Sequence, residues 1–366
     1  MKKILIVILA FLWITPMFGQ IPIGQFRAHI PLHRFHSVAV SDDYVYAATD
    51  NGLMLLEKST KDADSPNLSA WTKVDGLSDI DIAKISYDSL SKTLIISYTN
   101  GNLDFIKNDK LTNVSDIKNK QITGSKELQH IRTNGQLAYL VYPFGVVVID
   151  LSNYLISDTW FTKRGTTQYN AEDIAITDAY YYLSTERGIF RLSKSNSNPS
   201  NFLLWANDTP TDSSDFDNIL YFGGRVYANK NCNNPEATPI SYDTLYVRDQ
   251  NGWIPTTLAY YDVRDISCSH TEMAICNWEY VELFNSNLEK TYHAEWIHDA
   301  TYEDTREAVI DHDMIWVADN NNGLAQVNRT YFFQKIYTSD GPYSNNVENI
   351  CSQNGITVLA PGSMHG

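Results

Sequence analysis

A repeat of about 45 residues is the feature that most constrains this sequence. Its clearest unit, Val38–Lys58, reads as three short strands separated by two turns, with a glycine closing the second turn. Glycines in the same context follow at Gly101, Gly145, Gly188 and Gly323. The first steps are 49, 44 and 43 residues, and the last is 135, or three steps of 45. One such meander cannot bury its faces alone, so the sequence predicts a closed or stacked array.

Seven units can be counted, and two of them are degraded. One lies at Ile219–Tyr227 and is interrupted by an insertion over Asn229–Ser241 before it continues at Leu245. The other is Ile266–Phe284, in which Asn277-Trp278-Glu279 replaces the glycine turn. An eighth unit begins at Ile350 and stops at the last residue of the sequence.

A second signal follows the third strand of most units. Aromatic residues recur there, namely Trp71, Trp160, Trp205, Trp253, Trp296 and Phe332-Phe333, while the second unit has Leu111–Val114. They predict a fourth, outermost strand whose aromatic side chain covers the gap toward the next unit. The fold class is therefore all-β: a seven-bladed β-propeller of four-stranded antiparallel blades, with the start of an eighth repeat at the C-terminus. A helical solenoid would need a 3.6-residue periodicity, which no long window shows.

The two ends of the chain are expected to differ from the ring. Lys2-Lys3, the apolar run Ile4–Thr15 and the small residue Gly19 predict a signal peptide over residues 1–19. The propeller is then expected over residues 20–348, and 349–366 as the truncated start of a further repeat or second propeller. Ile23–His29 resembles an outer strand and could complete the last blade, although Tyr331–Ile336 competes for that place.

Charge and cysteines limit the partners and the redox chemistry. The formal charge is −15, and −17 without Lys2 and Lys3, which argues against nucleic acid as a partner. Four cysteines are present without a CxxC pair. Cys276 takes the slot of Ala48, Ser97 and Ser184, and Cys351 that of Ala39, Ser86, Ala175 and Ser267. Both are therefore expected to be small buried free thiols.

The sequence offers little that points to catalysis, a cofactor or a metal. His33 and His36 lie three residues apart without an accompanying carboxylate cluster, and the acidic turns at Asp311–Asp313 and Asp319–Asn322 lack the ligand spacing of a calcium loop. No nucleophile elbow, zinc-protease motif or phosphate-binding loop is present. We therefore expect no catalytic residue, no cofactor, no metal site and no enzyme activity.

Three places are candidates for binding or modification. The insertion could contact a partner through Lys230, Asn231, Asn233 and Glu236, because a propeller acquires specificity by lengthening loops while its blades stay constant. The irregular turn at Trp278 and Glu279 is the second. Ser89, within Asp88-Ser89-Leu90, fits a short O-glycosylation pattern used by Bacteroidetes, and Asp243-Thr244-Leu245 is a weaker match.

The linkers and the first hundred residues carry a family resemblance. Val74-Asp75-Gly76-Leu77-Ser78 is similar to the repeat of two-component-regulator propellers. The segment Ile23–Leu32, followed by Asp50–Leu53 and Tyr98–Leu103, resembles the amino-terminal propeller of the PorZ family of type IX secretion. That resemblance implies an exported, outer-membrane surface protein of the attachment complex, associated with a sortase and with anionic lipopolysaccharide.

Three functions follow as hypotheses. The first is a non-enzymatic binding and assembly module that supports sortase-linked attachment of secreted proteins to anionic lipopolysaccharide. The second is the ligand-sensing propeller of a two-component-type regulator, in which case a periplasmic location would fit. The third is a carbohydrate-active propeller enzyme, which requires a carboxylate pair about 5–10 Å apart at the mouth of the central tunnel.

Overall fold

The computed structural model describes residues 30–195, 198–210, 214–232, 241–295, 302–330, 333–339, 341, 347–353 and 356–361. In this part of the chain, seven four-stranded antiparallel sheets each take their strands in sequence order from the centre outward. Their innermost strands contact one another in succession, and the last contacts the first, so the sheets form a closed ring. The predicted seven-bladed β-propeller is confirmed. The signal-peptide residues 1–19 lie outside the described residues, so that assignment stays a prediction.

The strands of the first four blades follow the repeat closely. Blade 1 contains β1 (Ser37–Val40), β2 (Tyr44–Thr49), β3 (Gly52–Glu57) and β4 (Leu68–Trp71). Blade 2 contains β5 (Ile82–Asp88), β6 (Thr93–Tyr98), β7 (Leu103–Lys107) and β8 (Lys110–Val114). Blade 3 contains β9 (His130–Asn134), β10 (Leu137–Tyr142), β11 (Gly145–Asp150) and β12 (Leu155–Phe161), and the hairpin β13 (Lys163–Arg164) and β14 (Thr167–Gln168) follows it. Blade 4 contains β15 (Ala171–Ile176), β16 (Tyr180–Thr185), β17 (Gly188–Ser193) and β18 (Ala206–Asn207).

The remaining blades include the two degraded units. Blade 5 contains β19 (Phe216–Phe222), β20 (Arg225–Lys230), β21 (Asp243–Arg248) and β22 (Trp253–Tyr260). Blade 6 contains β23 (Val263–Cys268), β24 (Met273–Asn277), β25 (Val281–Phe284) and β26 (Lys290–Ala294). Blade 7 contains β27 (Thr305–Asp311), β28 (Met314–Asp319), β29 (Gly323–Asn328) and β30 (Phe333–Tyr337), and a hairpin of β31 (Val347–Gln353) and β32 (Ile356–Pro361) follows.

Helix is sparse in the described residues. One α-helical turn, α1 (Asp116–Asn119), and three 3₁₀ turns, Lys58–Thr60, Lys73–Asp75 and Phe202–Leu204, lie in the connections. None of these described helices is long and apolar enough to cross a membrane.

The hydrophobic core is divided among the gaps between blades. Each of seven buried clusters draws its side chains from two neighbouring blades. The gap between blades 1 and 2, for example, packs Leu53 and Leu55 against Ile85 and Ile96. Alternate side chains of each twisted sheet therefore bury against the next sheet, and stability comes from neighbours, as the isolated repeat predicts.

Within the described residues, the ring closes with each blade formed by strands of its own unit. Blade 7 takes its fourth strand, β30, from its own unit, so the described part of the Tyr331–Ile336 segment forms an outer strand as predicted. Leu32 and Phe35 are buried against Trp316 and Leu324 of blade 7. Residues 23–29 lie outside the described part of the chain.

The recurring glycine has the positive φ that its turn context indicates, and a close backbone contact is a second reason for glycine there. Gly52 and Gly145 are the first residues of third strands, and Asp50 and Asn51 of the preceding turn do not have positive φ. A Cβ atom at Gly52 would lie 2.5 Å from the carbonyl oxygen of Trp71, and one at Gly145 would lie 1.9 Å from that of Trp160. Glycine is required for two reasons: φ is +156° at Gly52 and +144° at Gly145, which other residues rarely adopt, and the backbone of the fourth strand approaches too closely for a side chain.

The aromatic signal is confirmed where the described residues cover it, with one correction. Trp71, Trp160 and Trp253 lie in fourth strands. Trp160 contacts Tyr181 of the next blade, with ring centroids 5.0 Å apart, so it covers a gap between blades. Trp205 precedes the two-residue strand β18 instead, because a 3₁₀ turn occupies most of that edge. Trp296 lies outside the described residues.

The cysteines show one correct and one wrong prediction. Cys276 is a buried free thiol, and it pairs in register with Asp265 as Ala48 does with Ser37. Cys351 is free but exposed, which contradicts the prediction of burial. It lies in the β31–β32 hairpin, and Ile350 and Val358 of that hairpin are also exposed. In the seven blades of the ring, the core-facing residues of the first and second strands are buried because a neighbouring blade covers them.

Candidate functional site

The strand register places the two irregular segments on the same side of the ring. In every blade the first strand begins beside the end of the second strand and the start of the third, as Ser37 pairs with Ala48 and Thr49 with Gly52. We call this end of the ring the upper face. The described ends of the blade 5 insertion and the Trp278–Glu279 turn of blade 6 both lie between a second and a third strand, so both are on the upper face.

The base of the insertion is more ordered than the sequence indicates. Lys230 is the last residue of β20 and not a loop residue, and the backbone N–H of Asn231 donates to the carbonyl of Asp215 at 3.0 Å. The N–H of Cys232 donates to Oδ1 of Asp243 at 2.8 Å. Asn233 and Glu236 lie outside the described residues, so a role for them stays a prediction.

The Trp278–Glu279 turn is closed by a side chain instead of a glycine. Oδ1 of Asn277 accepts the N–H groups of Glu279 at 2.9 Å and of Tyr280 at 3.0 Å. The exposed ring of Trp278 lies 6.0 Å from that of Tyr261. The turn therefore presents an aromatic pair and a carboxylate to solvent on the upper face.

A ring of polar side chains surrounds the central channel, one from each blade at the same register. The seven residues are Ser37, Lys84, His130, Asp173, Asn218, Asp265 and Glu307. Several of them bond the next blade: Oδ2 of Asp173 accepts the N–H of Ile219 at 3.0 Å, and Oε2 of Glu307 accepts that of Val38 at 3.2 Å. The innermost strand has no further strand on its channel side, and these side chains satisfy its open edge.

Some members of this ring also reach across the channel. Nζ of Lys84 lies 3.6 Å from Glu307, and Nε2 of His130 lies 3.5 Å from Asp265. Arg132, two residues after the ring position of blade 3, donates through Nε to Asp173 at 3.0 Å and through Nη2 to the carbonyl of Ile266 at 3.2 Å. Blade 2 is thus tied to blade 7, and blade 3 to blades 4 and 6.

The ionisation of these groups follows from burial and pairing. Burial alone would lower the pKa of Lys84 and of His130, but the surrounding carboxylates together outweigh it, Glu307 contributing most for Lys84 and Asp173 for His130, so both pKa values are raised. Burial would raise the pKa of Asp265, but its bond with His130 and the nearby charges of Lys84 and Arg132 together lower it. Burial raises the pKa of Glu307 despite its pairing with Lys84. Of the two groups, Lys84 therefore keeps its charge more readily than Glu307 does.

A cavity of about 560 Å³ lies within the channel. Its lining runs from the ring residues Lys84, His130, Asp265 and Glu307 to Asp178, just beyond the far end of an innermost strand. The mouth therefore contains carboxylates of the kind that a carbohydrate-active enzyme would need. Asp265 faces His130 and Glu307 faces Lys84, so both carboxylates take part in contacts between blades.

A second tier of side chains stands above the ring, at bulges in the first strands. The register shifts by one residue just before the ring position, which leaves Glu172 in blade 4 and Asp217 in blade 5 as the extra residues. Burial and then the carboxylate of Asp215 raise the pKa of Glu172 to about 8. Burial also raises the pKa of Asp217 to about 7, although hydrogen bonds from Asn229 and Asn218 oppose the shift.

The predicted modification site lies on the opposite face. Ser89 and Leu90 are exposed in the turn between β5 and β6, where the carboxylate of Asp88 accepts the N–H of Ser91 at 2.7 Å. Thr244 is half-buried within β21, so Ser89 is the more accessible of the two serine or threonine candidates. O-glycosylation of Ser89 stays a prediction.

No metal centre forms among the described residues, where no group of three or more His, Cys, Asp and Glu side chains is placed to hold an ion. Nε2 of His36 bonds the carbonyl of Ile82 at 2.8 Å, which gives this histidine a structural contact between blades 1 and 2.

The polar ring and the bulge tier were not identified from the sequence. The signal was available, because the ring residue pairs with the small-residue slot of the second strand, as Asp173 pairs with Ser184 and Asp265 with Cys276. Aligning the units on that slot and counting back across the turn identifies one polar residue per blade.

Comparison with known proteins supports the resemblance that the sequence carries. Residues 45–206 match the N-terminal β-propeller domain of PorZ, a component of the type IX secretion system. The resemblance to the PorZ family is confirmed over that segment. No curated protein sequence matches this chain.

Solved structures show the same fold at low sequence identity. PorZ of Porphyromonas gingivalis, described as an essential bacterial surface component of the type IX secretion system, is 17% identical with a TM-score of 0.72. The match covers 92% of this chain and 42% of PorZ, so the chain spans about two-fifths of that protein's length. An inactive virginiamycin B lyase from Staphylococcus aureus is 10% identical (82% of this chain, 97% of the lyase, TM-score 0.56). YCF48 bound to the D1 peptide is 8% identical (87% and 100%, TM-score 0.51).

Proposed function

We propose, from the match of residues 45–206 to the PorZ N-terminal propeller, that this protein is a cell-surface binding and assembly module of the type IX secretion attachment complex. In this role it supports the sortase-linked attachment of secreted proteins to anionic lipopolysaccharide and carries out no chemistry itself. The family match is the observation that carries the proposal.

The distribution of regular and irregular segments supports a binding role. Blades 1 to 4 keep the repeat, and the polar groups of the channel are used in contacts between blades. The departures, which are the insertion of blade 5 and the Trp278 turn of blade 6, share the upper face of neighbouring blades. A rigid ring that varies in its loops on one face is the usual arrangement of a propeller that binds a partner.

The proposal is tested by measuring binding of the purified protein to a type IX sortase and, separately, to anionic lipopolysaccharide. A variant with residues 233–240 replaced by Gly-Ser-Gly shortens the insertion and keeps its bonded base at Asn231 and Cys232. We expect the parent protein to bind at least one of the two, and the shortened variant to bind at least tenfold more weakly.

A matched control carries Ser89→Ala on the opposite face and should bind like the parent. Absence of binding to both partners would contradict the proposed function. Full binding by the shortened variant, with an unchanged melting temperature, would exclude the insertion as the contact.

A further inference from the structure

A lysine in the central channel keeps hydrogen-bond donors that the protein does not use. Nζ of Lys84 lies 3.6 Å from Glu307, which is too far for a hydrogen bond, and it forms none within the described residues. Elsewhere in the ring, Nζ of Lys58 lies only 2.6 Å from Asp311. Because Lys84 lines the cavity of about 560 Å³, its three N–H groups are available to a molecule in the channel.

The two other cations of the channel have carboxylate partners of their own. Nε of Arg132 donates to Asp173 at 3.0 Å, and Nε2 of His130 lies 3.5 Å from Asp265. These two pairs balance their own charges and join blades 3, 4 and 6 around the inner end of the cavity. They leave Lys84 as the cation whose balance depends on the remaining carboxylate.

That carboxylate, Glu307, is a weak counter-charge. Its Oε2 already accepts the N–H of Val38 at 3.2 Å, and burial raises its pKa, which favours the uncharged form. Arg132, on the blade next to Lys84, adds a further donor, because its bonds to blades 4 and 6 use Nε and Nη2 and leave Nη1 without one in the described residues. The side of the cavity formed by blades 2 and 3 therefore has an excess of positive charge and of N–H donors.

Uncharged side chains line the cavity between the polar ring and the face opposite the upper face. Val40, Ile176 and Val309, from blades 1, 4 and 7, are aliphatic and half-buried there. Blade 2 contributes the small hydroxyl side chain of Ser86, and the exposed Asp178 lies at the open end. The cavity thus has a charged inner end and a neutral, partly aliphatic passage that leads to solvent.

These two parts fit two parts of one ligand. An excess of donors and positive charge fits an anionic group that only accepts, and a carboxylate can bond an ammonium and a guanidinium together. The aliphatic walls fit a hydrocarbon stem, because apolar surface is buried favourably there. A volume of about 560 Å³ lies within the range of small-molecule sites, roughly 300 to 1,000 Å³.

We propose that the central channel binds an aliphatic monocarboxylate, with the carboxylate held by Lys84 and Arg132 and the stem lying along Val40, Ile176 and Val309. The inference goes beyond the proposed function and does not depend on it, because it concerns a small molecule in the channel and not a partner protein on the upper face.

The probe is hexanoate, compared with hexanamide, which keeps the shape and loses the charge, and with acetate, which keeps the charge and loses most of the stem. Calorimetry or NMR titration of the purified protein should show saturable binding of hexanoate, with hexanamide at least tenfold weaker and acetate at least fivefold weaker. No saturable binding, or equal affinity for hexanoate and hexanamide, would overturn the proposal. Acetate binding as tightly as hexanoate would show a site for a bare anion and would overturn the aliphatic ligand.

Lys84→Met removes the ammonium and keeps an unbranched side chain of similar length, so the affinity for hexanoate should fall at least tenfold. Lys107→Met is the matched control, because Lys107 is exposed in the third strand of the same blade, and it should change the affinity less than twofold. Parental affinity in a folded Lys84→Met protein would contradict the proposal.

A second measurement needs no variant and is therefore independent of folding defects. The thiol of Cys268 is free, exposed and part of the cavity wall, whereas Cys351 is free and exposed on the β31–β32 hairpin. Saturating hexanoate should slow the alkylation of Cys268 by iodoacetamide at least fivefold, read by peptide mass spectrometry, and change that of Cys351 less than twofold. Equal alkylation of Cys268 with and without hexanoate would place the binding outside the channel and overturn the proposal. None of these results bears on the secretion role, because no secretion component is present.

Discussion

At the scale of the residue, the glycine of each turn shows what local sequence can and cannot predict. The pattern Asp50-Asn51-Gly52 correctly predicts a hairpin, since it follows one alternating strand and precedes another. It does not show that the carbonyl of Trp71 lies against Gly52, because that carbonyl arrives from the fourth strand after a connection whose course the local sequence does not encode.

Gly145→Ala tests this account of the glycine. The added Cβ would meet the Trp160 carbonyl, so the third and fourth strands must separate, and we expect a loss of about 3 kcal/mol in the free energy of unfolding. Gly252→Ala is the control, because Gly252 has a similar φ of +135° but open space around an added Cβ, and it should lose only about 1 to 2 kcal/mol. Equal losses in chemical denaturation would show that conformation rather than contact selects glycine.

At the scale of the element, the strands of each blade could be predicted from the sequence, but the polar contacts between blades could not. Alternation and turn residues are local signals, so the three strands predicted within Val38–Lys58 are observed as β1 to β3. The contacts of Asp173 depend on strand register and on a bulge, and the pairing of Arg132 with Ile266 joins blades 3 and 6. Neither contact can be predicted from the sequence of one repeat, because each joins residues of different blades.

Asp173→Ala should destabilise the protein by about 3 to 5 kcal/mol, because it leaves Arg132 buried without its counter-charge and the N–H of Ile219 without an acceptor. Asp50→Ala, at an exposed carboxylate, should stay within about 0.5 kcal/mol of the parent in the same denaturation experiment. In a double-mutant cycle, Arg132→Met should recover part of the loss. Additive effects of the two substitutions would contradict a direct coupling.

At the scale of the whole molecule, the number of blades and the fold were predicted from the sequence. The structure shows in addition that the irregular segments lie on one face of the ring. The base of the insertion and the Trp278 turn are 47 residues apart when counted from Asn231 to Trp278, and the packing of blade 5 against blade 6 places them on neighbouring blades at one end. The central claim is that binding specificity resides on this upper face, while the blades provide the scaffold.

Hydrogen–deuterium exchange of the protein, alone and with a type IX sortase, tests that claim most directly. The account predicts that protection on binding is concentrated in upper-face segments of blades 4 to 6, namely residues 186–187, 208–217, 231–243 and 277–280. Protection concentrated in the opposite turns, such as residues 89–92, 177–179 and 223–224, with no change on the upper face, would contradict it.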